Sequence, residues 1–586
     1  LFSSWLCNAQ QLKEEKLLSP ETKFSVPIIM HRMSVWDTGR LSRNCLFYFA
    51  DETLYSPDTT LVQELEKIKA AGASSVVIEK GMELYADNEN IRNCGMRIVL
   101  MGNMSKLILG AWDASPEKWQ NVVPYFISLL EYAKKYPQLF YHENGKPVLW
   151  IFAAKNFPPE KYTLIKQKLK EKGYDPLIYF QAIVITMRDQ KTVTEYMKHF
   201  DGIFIWGGGY DMTCRMLGYA EKARAEILKK TGRRKGIILT SKAGHWRKEK
   251  GSMITSRGTG EFRHTMELAW KANAQGLIIE SWNDFSENHN IEPSFKNSYV
   301  FYDLCKYYGA LGKKNTFYAE SPGIYLSSRR EILKHENYDL ELLKLPVKQS
   351  APQNVRIIVK NEQGKVIYKT KQFQLQAGDA RAYTLSLKPK YFNGNKVLIP
   401  YIEIDGREVY TSIFTSVRRN WLTHPFSYHI SLAKSFVPEA ENFSVSKQLT
   451  ASFSIKNAKK IKRLEIVRNY KPVYEPAYQR KLEKAGVDIN KLKIICLRWD
   501  LPYNQHIFRV TGKKMTLSAY NAKIADAFLC FRDQSAKIVN RDFPHSLSWT
   551  LQKQGMHNEL QLAIEADKDA YFELDYPFLN KKIKHM

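Results

Sequence analysis

The chain has few cysteines and none close together. The seven, at positions 7, 45, 94, 214, 305, 496 and 530, never form a Cys-x-x-Cys pair. That argues against a zinc site, a redox motif or a disulfide framework, and leaves most of them as small buried hydrophobes. Beyond the N-terminus no stretch is apolar for long enough to span a bilayer. Internal repeats, low-complexity linkers and metal-ligand spacing are absent too, so neither a metal nor a cofactor is expected. Acidic residues are also in deficit, with 60 Asp and Glu against 88 Lys and Arg, a formal charge of +28. Nucleic-acid binders concentrate such charge on one face or in a tail. Here it is spread, with short clusters such as Arg233-Arg234-Lys235 and Lys459-Lys460-Ile461-Lys462-Arg463. No helix-turn-helix, zinc-finger or RNA-binding aromatic motif accompanies them. Nucleic acid is therefore not an expected partner, and an anionic surface or acidic glycan suits the charge better.

What is present points to several domains. A length of 586 residues exceeds one ordinary core, so about two to four domains are expected. Aromatics make up 13%, which suits sugar stacking, although composition alone favours simply a large protein with β-rich domains. The opening Leu-Phe-Ser-Ser-Trp-Leu-Cys-Asn-Ala-Gln reads as the tail of a secretory signal peptide, residues 1–9, with Cys7 and Ala9 before cleavage at Gln10. An ordinary apolar N-terminal segment is the alternative, and Trp5-Leu6 fits poorly to a lipid-modified Cys7. A secreted, periplasmic or cell-surface location is expected.

Between about residues 24 and 315, short apolar runs alternate with amphipathic stretches. The runs are Val26–His31, Ser75–Glu79, Arg97–Met101, Val148–Phe152, Leu177–Gln181, Gly202–Trp206, Gly236–Ser241 and Gly276–Trp282. They are rich in Ile, Val and Leu, as strands buried on both faces should be. Pro57-Asp58-Thr59 opens a helix ending at Ala71-Gly72, and Ser115-Pro116-Glu117 opens another carrying Trp119, Val123, Phe126 and Leu130. Eight strand–helix repeats predict a (β/α)8 TIM barrel. Cys45–Ala50 is left as a ninth strand or a hairpin. Past residue 320 the pattern turns to hairpins: Val355–Lys360 with Val366–Lys369, and Leu398–Ile404 with Glu408–Phe414 around Asp405-Gly406. A β-sandwich over 345–430 and a second β-rich domain over 440–586 are expected, with a division near 315–350 that lets the barrel fold alone.

Barrel chemistry sits where strands end. Reading just beyond each strand gives His31 and Trp36, Glu79, Asn103, Gln181, Trp206 and Tyr210, then Lys242, His245 and Trp246. The last gives Trp282, Asn283, Asp284, Glu287 and His289. Aromatics, amides and carboxylates dominate, which suits a sugar site. Glycosidic cleavage needs two carboxyl groups, and Asp284 and Glu287 are three apart at the last strand end. Two acids so spaced also commonly cap a helix start. Gly207-Gly208-Gly209 lacks the Lys-Ser/Thr of a phosphate loop.

The segment Trp282-Asn283-Asp284-Phe285-Ser286-Glu287-Asn288-His289-Asn290-Ile291-Glu292-Pro293 resembles the strand-eight motif of glycoside hydrolase families 71 and 99. Asp284 and His289 match the α-1,3-glucanase pattern of family 71, W-N-D-W-G-E-S-H-Y-I-G-P. Glu292-Pro293-Ser294 looks more like the endo-α-mannosidases of family 99, and Arg257-Gly258-Thr259-Gly260 is similar to the start of the penultimate helix of family 71. The resemblance covers roughly residues 24–312 and is specific only over 255–295. Phe285 and Ser286 depart from it. It implies a hydrolase of α-linked glucan or mannan, with Asp284 and Glu287 catalytic. Substrate binding is expected at Trp282, Asn283 and His289 of this segment and, from the strand ends alone, at Trp206, Tyr210, His245, Trp246, Glu79 and Trp36, with an ordinary loop residue as the alternative for His245. In family 99 the first carboxylate is Glu and deprotonates the 2-hydroxyl of the sugar, giving an epoxide and net retention. Asp284 is one methylene shorter, leaving room for water, so inversion is the reading, with Glu287 as acid and Asp284 as base. The other class of function is a non-catalytic glycan-binding or surface-adhesion protein on the same barrel.

Overall fold

The computed structural model describes residues 12–18, 26–32, 61–78, 82–104, 121–154, 158–183, 189–247, 252–283, 289–292, 297, 299–313, 315–319, 323–329, 331–348, 351–361, 363–410, 415–418, 428–432, 450–455, 465–466, 484, 492–499, 514–530, 537–542, 546–550, 558–576 and 581–585. The leader reading of 1–9 and the run Cys45–Ala50 lie outside them.

The eight apolar runs form one closed parallel sheet. They are β1 (Ile28–Arg32), β2 (Ser75–Ile78), β3 (Arg97–Asn103), β4 (Lys146–Phe152), β5 (Leu177–Ile183), β6 (Gly202–Trp206), β7 (Gly236–Ser241) and β8 (Gly276–Ile279). Each pairs with the next, and β8 pairs with β1 at Ile278↔Ile29, closing the barrel. Between them run helices α1 (Leu61–Ala70), α2 (Met82–Ala86), α3 (Glu89–Asn93), α4 (Val122–Lys135), α5 (Pro159–Glu171), α6 (Gln190–His199), α7 (Tyr210–Thr231) and α8 (Gly260–Lys271). The helix α9 (Val300–Gly312) follows β8. No helix among the described residues is long and apolar enough to cross a membrane.

Strand alternation separates two cores. Outward side chains such as Met30, Val76, Leu277 and Ile279 share a core with Leu65, Phe126 and Met266 of the helices. Inward ones, among them Ile29, Trp150, Phe204, Ile238 and Ile278, form a core of their own. Trp150 stacks on Phe204 with centroids 5.0 Å apart. At the N-terminal end of the barrel, Gly202 and Gly236 open β6 and β7, and a Cβ at either would overlap the Tyr179 ring. Two side chains are left out so that one phenol can fill the space. Its hydroxyl donates to Glu143 Oε2 at 2.6 Å, and burial followed by that carboxylate drives its pKa far above the usual phenol range.

Two further sheets make a β-sandwich. The first runs in the order Lys13–Lys16, Arg381–Leu387, Tyr338–Lys344, Ile324–Arg329, Tyr428–Leu432. The second is built on Val397–Ile404 beside Gln353–Asn361, and Leu326, Leu340, Val355 and Ile357 join the two in one core. Both expected hairpins are present, and Asp405 and Gly406 take φ +49° and +80°. Positive φ at both central residues is what a two-residue turn matched to strand twist requires.

Two expectations change here. The sandwich does not begin at 345, because Ile324–Arg329 and Tyr338–Lys344 are paired strands of its first sheet. Nor is the barrel separate from it. Tyr325, Leu343, Leu345, Val347 and Ala382 belong to the helix-side core of the barrel. At the same junction Arg263 of α8, 1% exposed, meets Glu341 at 3.0 Å and Glu15 at 3.1 Å. Thr259 N–H and Oγ1 both donate to Glu341 Oε1.

The C-terminal region forms one sheet, in which Lys514–Cys530 pairs with Asn558–Tyr576 and Leu492–Trp499 pairs with Asn558–Tyr576 in turn. The strands expected at Met515–Tyr520 and Ala527–Arg532 are joined, since Lys514–Cys530 runs through the first and into the second, whose last two residues lie outside the described ones. Register shifts at Tyr520/Ala522 and Ile524/Asp526 fall in the stretch between those two runs, where bulges keep the strand paired.

Candidate active site

The C-terminal end of the barrel interior is polar where the opposite end is apolar. Counting by two from inward residues leads from Ile29 to His31, from Met101 to Asn103, from Tyr179 to Gln181 and from Ile278 to Glu280. On β7 the outward residue is Ser241, whose hydroxyl meets Phe262 O at 3.1 Å and Thr265 Oγ1 at 2.7 Å on α8. Lys242 therefore points inward. All five of these polar residues are buried.

Glu280 continues the ladder, its N–H donating to Ser241 O at 2.8 Å. That sets its carboxylate beside Lys242, with Nζ to Oε1 at 3.0 Å. The other oxygen, Oε2, is buried with no hydrogen-bond partner. Across the barrel, Gln181 accepts from Ala153 N–H at 2.9 Å through Oε1. This turns its amide nitrogen inward, and Nε2 is likewise buried and unpartnered. Trp206 meets the His31 ring edge-on at 5.0 Å and Phe152 at 6.0 Å.

The loop after β8 is anchored at both described flanks. Trp282 N–H donates to His31 O at 2.7 Å, Ile291 N–H to Ser281 O at 3.1 Å, and Glu292 N–H to Trp282 O at 2.9 Å. His289 is buried, and its ring lies 5.6 Å from that of His245. The structure thus brings His31, Trp206, Asn283, His289 and His245 to the strand-eight end of the barrel.

The other expected residues either lie outside the described ones or are placed differently. Asp284, Glu287, Trp36 and Glu79 lie outside the described residues. Trp246 sits in a hairpin, His245–Arg247 against Ser252–Ile254, and only its backbone is described. Trp282 was expected to bind substrate, but its indole is fully buried on the helix side, 6.1 Å from Tyr302 of α9. It has no open face and holds the loop instead. Tyr210 starts α7, donates its N–H to the Glu261 carboxylate, and lays its ring 5.4 Å from His264. Burial raises the pKa of Glu261. Glu280 was absorbed into the expected strand eight and missed. Period-two counting from Ile278 would have found it. Among the described residues no group of three or more His, Cys, Asp and Glu is placed to hold a metal ion.

No family model and no curated protein matches the chain. Among solved structures, it is similar to the GH99 endo-alpha-mannosidase from Bacteroides thetaiotaomicron, at 13% identity and a TM-score of 0.39, covering 50% of this chain and 98% of that one. It is also similar to the alpha-L-arabinofuranosidase from Thermotoga maritima, at 10% identity and a TM-score of 0.31, covering 64% of this chain and 100% of that one. Scores this low say nothing about what the chain acts on.

Proposed function

We propose that this protein is a glycoside hydrolase that cleaves α-linked glucan or mannan, with Glu287 as general acid and Asp284 as general base. The observation that carries the reading is the position of the 282–293 motif. Its described flanks leave and rejoin the C-terminal end of β8, the end of a (β/α)8 barrel where catalysis occurs. In sequence, both acids lie between those flanks. The neighbouring inward residues are polar and buried, which suits a substrate rich in hydroxyls.

In the inverting route, Glu287 protonates the leaving oxygen while Asp284 takes a proton from the water that attacks the anomeric carbon from the opposite face. Export to a surface or extracellular space fits a polymeric substrate, and the net charge of +28 suits residence near an anionic surface. A panel of α-glucans and α-mannans, with products read by chromatography, tests the reading. Release of oligosaccharides that stops in Asp284→Asn and Glu287→Gln supports it. Tight glycan binding without any release would instead make the chain a glycan-binding protein.

A further inference from the structure

We infer that Gln181 and Glu280, the latter held by Lys242, form a hydroxyl-reading floor in the barrel mouth that takes an uncharged sugar ring and rejects a uronate. The inference rests on the glycosidase reading above and narrows its substrate class.

Buried polar atoms in folded proteins nearly always have partners, and leaving one unsatisfied costs about 1–3 kcal/mol. Here two such atoms occur at the same end of one barrel interior: the donor Gln181 Nε2 and the acceptor Glu280 Oε2. Gln181 is 1% exposed and Glu280 4%. Neither can turn away to find a partner. The other end of the Gln181 amide is fixed by Ala153 N–H, and the other oxygen of Glu280 is fixed by Lys242 Nζ. Strand alternation aims both side chains inward, since each lies two residues on from an inner-core residue, Tyr179 and Ile278.

An unpartnered donor and an unpartnered acceptor match the hydroxyls of a sugar ring, which can accept from the amide and donate to the carboxylate. They do not match an anion. Lys242 and Glu280 cancel in charge, and the oxygen left facing the interior is that of a carboxylate. A uronate carboxylate brought against it would face like-charge repulsion in a site shielded from water. The overall basic charge of the chain thus does not extend to this floor.

Isothermal titration of the full chain with methyl α-D-mannopyranoside, methyl α-D-glucopyranoside and methyl α-D-glucuronoside tests the floor. At least one neutral glycoside should bind, and the glucuronoside at least about tenfold more weakly. Glu280→Gln puts an amide where the acceptor was, and Gln181→Leu removes the donor. Each should raise Kd for the neutral glycoside at least about tenfold. Monodeoxy glycosides provide a readout that a merely structural role would not move. One of them should lose affinity for the wild type and bind Glu280→Gln no worse than its parent does. Melting curves report folding, and if Glu280→Gln unfolds early then Gln181→Leu decides alone. Wild-type Kd in the folded variants, equal binding of the glucuronoside, or no titration by either neutral glycoside would overturn the floor. Turnover by Asp284→Asn separates the two claims. Unimpaired turnover there overturns the catalytic pair, whereas lost turnover with unchanged Kd in Glu280→Gln and Gln181→Leu overturns the floor alone.

Discussion

The two ends of the barrel interior are built from the same strands to opposite specifications. At the N-terminal end, Tyr179 fills the space that Gly202 and Gly236 leave. At the C-terminal end, two residues further along β5, Gln181 keeps a buried donor without a partner. One end is filled by a ring packed against two glycines and the other leaves buried polar capacity unused, the division expected if stability resides at the first and ligand recognition at the second. Two strand positions separate the two regimes on β5.

The largest effect expected from this contrast falls on turnover at the open end. Asp284→Asn and Glu287→Gln should each lower kcat by about 10²–10⁴-fold, with melting temperatures near wild type. Both variants within a few-fold of wild type in an assay of oligosaccharide release would remove the catalytic pair.

Stability should respond most strongly away from the mouth. Arg263 is a buried cation shared between Glu341 and Glu15. Arg263→Met leaves Glu341 buried without its counter-charge, at a cost of about 3–5 kcal/mol. Urea unfolding of the whole chain measures it, and barrel and sandwich should lose structure together because their core is continuous. A barrel that unfolds at its wild-type midpoint in this variant would show the two to be independent.

At the closed end, Gly202→Ala should destabilise by about 1–3 kcal/mol through overpacking against Tyr179, without changing kcat of the folded protein. A variant that melts like wild type would mean Tyr179 can move aside, and the closed end would not be tightly packed.

The smallest effect is a pH dependence at the sandwich junction. A hydrogen bond from His264, then the Arg263 charge, hold Glu15 at a pKa of about 2 against an ordinary 4.5. Its folded value is depressed, so the ionised form stabilises the fold. That contribution is whole above about pH 4.5 and fades as pH falls towards 2. The stability gap between wild type and Glu15→Gln should therefore narrow over this window. A gap constant with pH would contradict the assignment.

Much of the barrel was legible because its strands are buried on both faces, so runs such as Gly202-Ile203-Phe204-Ile205-Trp206 stand out from amphipathic helices. The Asp405-Gly406 turn was legible for its backbone requirement. Lys13–Lys16 was not. It is Lys-Glu-Glu-Lys, an edge strand whose side chains carry no apolar alternation, and its pairing with Arg381–Thr384 is a tertiary fact. Trp282 shows the same limit at the site. A tryptophan just past a strand reads equally as platform or wall, and only its contact with Tyr302 decides. Glu280 was hidden because a carboxylate at a strand end carries no sign of which way it points until the inner core is known.

The most direct test of the central claim is the product anomer, followed by proton NMR during the first minutes of hydrolysis of an α-linked glucan or mannan. Direct attack by a water activated at Asp284 predicts that the β-anomer appears first and then equilibrates. An α-anomer appearing first would contradict inversion by Asp284 and Glu287.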